Sequence, residues 1–290
     1  MNRFLSTLLF ALPLAGCGGG SGSASSLDMA MAVQSPPLSV TVMGMAQPAD
    51  FSCLGSRKDP PGPMMDTVVT GKITDFQDDN IVVGATVYIW KDAADVPDPM
   101  KAIATTKAPS DKDGMYSITI PAGAPYRIIR GNSGGMAISN GNPVETIPAY
   151  EFNRNFDDAN PVAVKTSTRE AIPGLVSIIP DETKGVLAGA VRDCKNSETG
   201  DARVAVSMTT MTYDSDANTF YFTDQDLPTR VLHWTNPKNG TFVSLNVPPG
   251  LATVAATGVV GSGAAKTLGS YTIPVQPGAV TIVEILPAAM

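Results

Sequence analysis

From Thr67 onward the chain alternates between apolar and polar positions. Val68-Val69-Thr70-Gly71-Lys72-Ile73-Thr74-Asp75 runs with a period of two into a polar turn at 77–80, and Ile81-Val82-Val83-Gly84-Ala85-Thr86-Val87-Tyr88-Ile89-Trp90 follows. That period puts every second side chain on one face of a strand. After an Asp- and Pro-rich loop at 91–99, further strands are predicted through Lys101–Thr106, Met115–Ile120 and Tyr126–Ile129. β-branched and aromatic residues bounded by Asp, Asn and Gly are the composition of strands and turns, and no stretch carries a capped 3.6-residue period. The pattern therefore predicts an all-β chain.

The pattern also occurs twice. Asp113-Gly114-Met115-Tyr116-Ser117-Ile118-Thr119-Ile120-Pro121-Ala122-Gly123 is matched by Asn239-Gly240-Thr241-Phe242-Val243-Ser244-Leu245-Asn246-Val247-Pro248-Pro249-Gly250. Alternation places Tyr116, Ile118 and Ile120 on one face, and Phe242 and, less strictly, Leu245 and Val247 on the corresponding face. Val69-Thr70-Gly71-Lys72-Ile73-Thr74-Asp75 is matched by Leu187-Ala188-Gly189-Ala190-Val191-Arg192-Asp193, and Ala85-Thr86-Val87 by Ala202-Arg203-Val204. The offset between copies grows from 118 (71 to 189) to 126 (114 to 240), so the second copy carries about eight extra residues. Thr212–Arg230, rich in Asp and aromatics, is where they are expected, as a long hairpin or surface loop.

Val-x-Gly-x-Ile/Val-x-Asp, Gly-Ala-x-Val, Asp/Asn-Gly-x-Tyr/Phe and Val/Ile-Pro-x-Gly, in that order, resemble the carboxypeptidase regulatory-like domain. The resemblance implies two tandem Ig-like/transthyretin-like β-sandwiches, the first over 63–166 and the second over 184–290, with a linker at 167–183 that breaks at Ala171-Ile172-Pro173-Gly174. Gly84 and Gly200 are expected in turns that need positive φ, and Pro121 and Pro248 at strand ends. The second copy departs from the first by inserting Asp201 ahead of Ala202. These signatures determine a fold and name no active site.

Residues 1–16 combine one basic residue, Arg3, with a short apolar run and small residues, the parts of a secretory signal too short to span a bilayer. Leu14-Ala15-Gly16-Cys17 resembles the lipobox of bacterial lipoproteins. That resemblance implies lipidation (palmitate among the acyl chains) of Cys17, a mature chain of 290 − 16 = 274 residues and, with Gly18 rather than an acidic residue next, an outer-membrane address. Gly18 to Ser26 is then a flexible tether, and 27–62 an extended arm with one strand near Leu38–Met43. Loss of Arg3 takes the net charge from −7 to −8, which leaves no phosphate-tracking surface and argues against nucleic acid. Outside the cytoplasm, Cys53 and Cys194 are expected to pair rather than remain separate buried thiols; the bridge would contribute roughly 4 kcal/mol.

Candidate chemistry is sparse. Gly131-Asn132-Ser133-Gly134-Gly135 fits Gly-x-Ser-x-Gly, but a nucleophile elbow leads into a helix, and Met136 to Pro143 cannot form one. His233 is the single His. A secreted serine hydrolase using Ser133 and His233 is thus the alternative reading, with a glycine-rich loop preferred. One His also excludes a zinc carboxypeptidase site, and no metal or cofactor is expected. Asp111/Asp113 and Asp214/Asp216 read as polar turns before calcium ligands. The methionine pairs 29/31, 43/45 and 64/65 read as apolar filler before a soft-metal site. His233 and Trp234, with Tyr221 and Trp90, could stack on a sugar or peptide, against a half-buried pair in a strand. The expectation is a non-catalytic, lipid-anchored envelope protein whose sandwiches bind glycan or protein, or act as a spacer.

Overall fold

The computed structural model describes residues 35–57, 64–76, 80–89, 99–106, 110–123, 146–149 and 162–288. It is all-β. The arm forms a hairpin, β1 (Ser39–Val42) with β2 (Met45–Pro48). The first repeat contains β3 (Thr67–Lys72), β4 (Thr74–Asp75), β5 (Tyr88–Ile89), β6 (Ala104–Thr105), β7 (Met115–Ile120), β8 (Thr146–Ala149) and β9 (Val162–Ala163). A helix, α1 (Thr166–Leu175), leads to the second repeat. There follow β10 (Gly185–Val191), β11 (Arg203–Met208), the short helix α2 (Ser215–Asn218), β12 (Thr219–Phe222), β13 (Pro228–Thr229), β14 (Thr241–Val247), β15 (Gly250–Val259), β16 (Ala265–Val275) and β17 (Val280–Ile285).

The two repeats share a pairing scheme. In each, the opening strand runs antiparallel to the motif strand (β3 with β7, β10 with β14) and the opening region runs parallel to the last strand (β4 with β9, β10 with β17). Register aligns the repeats residue by residue, because Gly71 lies opposite Tyr116 and Gly189 opposite Phe242. The second repeat is a sandwich of a six-stranded sheet, order β13-β12-β14-β10-β17-β8, over a three-stranded sheet, β11-β15-β16; its edge strand β8 comes from the stretch of the first repeat and runs parallel to β17. Leu187, Val191, Phe242, Val247 and Ile285 from one sheet meet Val204, Val206, Val254, Leu268 and Ile273 from the other. The first repeat has its own core, in which Val69, Ile73, Val82, Val87, Tyr116 and Ile118 are buried. A third cluster covers the outer face of the six-stranded sheet, where Phe220, Phe222, Val243, Leu245 and Ile282 pack with Val176 and with Phe76 and Val162 of the first repeat.

The motif strands end where expected, β7 before Pro121 and β14 before Pro248. Tyr116, Ile118 and Ile120 do share the buried face. Leu245 does not share one with Phe242 and Val247. Asn246, at φ 52°, bulges out of β14 where the register shifts, so Val247 returns to the inner core while Leu245 faces the outer cluster. Positive φ also distributes differently from expectation. Gly84 has it, at 79°, but in the second repeat the inserted Asp201 carries it, at 66°. Gly200 is needed for space instead, since a Cβ there would lie 2.3 Å from the Pro237 nitrogen.

Four further expectations are corrected. The linker is helical over ten residues with Pro173 inside it; Ile172 and Val176 give it an apolar side that the outer face of the sheet buries. Among the described residues of Ile81–Trp90, which end at Ile89, only Tyr88 and Ile89 are strand, because Gly84 turns the backbone and the Ala85 and Val87 amides donate to the Ser110 and Thr106 hydroxyls rather than to a ladder. Met43, Met45, Met64 and Met65 are not filler: all four are exposed, Met64 by 98%. In the same way Lys101–Thr106 narrows to β6, preceded by a 3-10 turn at Pro99–Lys101, and the predicted strand Tyr126–Ile129 lies outside the described residues.

Candidate functional site

Most of the residues singled out from the sequence are held in structural roles. Cys53 and Cys194 form a disulfide with Cα atoms 5.8 Å apart. Around it the Cys194 amide donates to the Asp50 carbonyl at 2.8 Å, and the Asp50 amide to the Asp193 carboxylate at 3.0 Å. The arm is thereby fastened to the second repeat, and Leu38 and Phe51 enter its core. Tyr221 is buried and is withdrawn from any surface platform. Its hydroxyl accepts from the Val204 amide at 2.9 Å, and burial raises its pKa. The Tyr213 hydroxyl donates to the Leu245 carbonyl at 2.9 Å, and burial raises its pKa too.

His233 is exposed and Trp234 half-buried, their rings edge to face at 6.2 Å. They sit in irregular chain between β13 and β14, not in a strand. Cys17, Trp90 and Ser133 lie outside the described residues. The paired aspartates serve their own turns. Asp111 accepts from the Asp113 and Met115 amides, both at 2.9 Å; Asp214 caps α2 through the Ala217 amide; Asp216 pairs with Arg203 at 2.7 Å. Among the described residues no three His, Cys, Asp or Glu side chains gather as a metal site.

One concave site emerges that the sequence reading did not assemble. A groove of about 440 Å³ lies between α1, the turn joining β12 to β13, and the Asn239-Gly240 turn ahead of β14. Its apolar walls are Phe76, Ile172, Leu175, Phe222, Leu227 and Pro228, and its polar end holds Glu198, Asp226, Lys238, Asn239 and Thr241. The two main walls come from the segments outside the duplicated pattern, the linker and the surplus residues of the second copy. Arg230 clamps them together, donating from Nε to the Val176 carbonyl at 2.6 Å.

Desolvation raises the Glu198 pKa; Arg192 opposes the shift, while Glu284 and Asp226 add to it. Asp226 stands at φ 56° in the hairpin turn, and its carboxylate accepts from the Asn239 side-chain Nδ2 at 2.8 Å. The Thr241 hydroxyl is buried with no hydrogen-bond partner among the described residues. The sequence signal for this groove was the growth in repeat offset, which located an insertion but not what it would face.

No protein-family model matches the chain, and no curated protein matches it. Among solved structures it is similar to the Bacillus anthracis TIE protein, at 13% identity over 77% of this chain and 34% of that one, with a TM-score of 0.22. It is also similar to the shaft pilin SpaA from Lactobacillus rhamnosus GG, at 11% identity over 78% of this chain and 98% of that one, TM-score 0.22. A streptococcal ancillary pilin matches at 10% identity over 77% of this chain and 68% of that one, TM-score 0.23. The chain spans about a third of the TIE protein's length. Scores this low carry no inference about function, and the all-β class rests on this chain's own strands.

Proposed function

We propose that the protein is a non-catalytic cell-envelope module, lipid-anchored through Cys17, whose β-sandwich repeats bind glycan or protein or act as a spacer. The observation that carries this reading is the Cys53–Cys194 bridge, because disulfides persist in oxidising compartments outside the cytoplasm. The signal, lipobox and Gly/Ser tether read from residues 1–26 agree with that address. A non-catalytic role is supported by the engagement of Tyr221, Asp111 and Asp214 in the fold itself. Binding is favoured over spacing by the groove, since a spacer has no need of one.

The anchor is tested by expressing Cys17→Ser in the native host. The wild-type protein should fractionate with membranes and take up an alkyne-labelled fatty acid. The variant should do neither, and an unlabelled wild type sinks the anchor. A fluorophosphonate probe tests catalysis, with no labelling expected at Ser133 or elsewhere.

A further inference from the structure

We propose that the groove between α1 and the β12–β13 turn binds an organic cation carried on an apolar stem, the alkylammonium class. The inference deepens the binding reading and rests on it. A volume of about 440 Å³ lies within the range of small-molecule sites. The lining is divided as such a ligand requires. Six apolar side chains line the groove together with the carboxylates of Glu198 and Asp226, and the Asp226 charge adds to the desolvation that disfavours ionisation of Glu198. A cation placed between them relieves that repulsion in a partly desolvated setting, where charge-assisted hydrogen bonds are strongest.

Of the basic side chains nearby, Lys238 lines the groove and keeps its charge while donating from Nζ to the neutral Asp224 carbonyl at 2.6 Å, and Arg169, which lines the adjoining cavity with Phe76 and Ile172, holds Glu182 at 3.0 Å. Arg192 lies 2.8 Å from Glu284 and 3.6 Å from Glu198, so its charge is shared and leaves Glu198 only partly neutralised. On the apolar side Leu227 and Leu175, 52% and 55% exposed, gain burial when a methylene chain lies against them. The chain's net charge of −7 favours approach of a cation from solution.

The test is calorimetric titration of the folded protein with hexylamine, hexanoate and hexanol at matched ionic strength. Hexylammonium should bind, hexanol at least tenfold more weakly, and hexanoate not at all. Asp226→Asn keeps both the acceptor for Asn239 and a residue tolerant of positive φ, and should weaken hexylammonium binding about tenfold. Leu227→Ser, at an exposed site, should weaken hexylammonium several-fold while circular dichroism stays unchanged. Binding should also strengthen as pH rises above about 4.5, because Glu198, facing Arg192, Glu284 and Asp226, must ionise. N-acetyl-lysine methylamide identifies the source of the cation: tighter binding than hexylamine assigns it to a lysine of a partner protein, weaker binding to a free amine. Equal affinity for hexanoate, or an Asp226→Asn protein that binds as wild type does, overturns the assignment. An envelope pull-down that captures a partner while hexylamine fails to bind sinks this inference and leaves the binding module standing.

Discussion

At the scale of single residues, glycines and short polar side chains set the geometry. A Cβ on Gly189 would lie 1.8 Å from the Val283 carbonyl oxygen and 3.2 Å from the Phe242 ring. Gly189→Ala should therefore cost about 3 kcal/mol or more by urea denaturation, because the backbone of β17 cannot move aside without opening the sheet. Asp111 gives a pH-dependent prediction. The Met115 amide, then the Asp113 amide, hold its carboxyl below the ordinary 3.8. The folded state thus binds the proton less readily than the unfolded state, and the contribution to stability is complete above the unfolded value. It is lost as pH falls through the lower folded value. The difference in thermal midpoint between wild type and Asp111→Ala should be constant above about pH 5 and vanish in strong acid. A difference that grows as pH falls refutes the assignment. The alternation at Tyr116, Ile118 and Ile120 was legible residue by residue; the bulge at Asn246 was not, since one left-handed residue reverses parity without altering composition.

At the scale of elements, the two motif strands hold separate cores. Phe242 lies in the core of the second repeat and Tyr116 in that of the first. Phe242→Ala should cost about 3–5 kcal/mol. Hydrogen exchange should rise across β10, β14 and β17 while protection in β3 and β7 persists. Equal loss in both repeats would show that the cores do not behave independently. The helix α1 escaped the sequence reading for a physical reason. Its ten residues include Pro173 and Gly174 and have no side-chain cap, so little local propensity favours it. Burial of Ile172 and Val176 against the outer sheet cluster stabilises it instead. Thr212–Arg230, expected as a long hairpin or surface loop, contains the hairpin β12–β13, and that hairpin is built into the core. Phe220, Tyr221 and Phe222 are all buried, and β12 pairs with β14 inside the large sheet.

At the scale of the whole molecule, the disulfide joins positions 141 residues apart and ties the arm to the second repeat. Replacing both Cys53 and Cys194 by Ser should lower stability by roughly 4 kcal/mol, chiefly by enlarging the unfolded ensemble. The measurement is the denaturant midpoint at constant slope, and an unchanged midpoint would deny the bridge a stabilising role. The charge of −7 and the single His limit the chemistry open to the chain, but neither locates a site. The groove depends on the alignment of α1 with the β12–β13 turn, secured by Arg230.

The sequence by itself determined the strand character and the recurrence of the motif strand. Both follow from a two-residue period and from spacing, which are local properties of the chain. Tertiary structure alone decided that the linker folds as a helix, that Val247 returns to the face of Phe242, that Tyr221 is interior, and that Glu198 and Asp226 line one groove. Those outcomes come from contacts between residues far apart in sequence, and the energy of burying one segment against another is written in no single stretch of either.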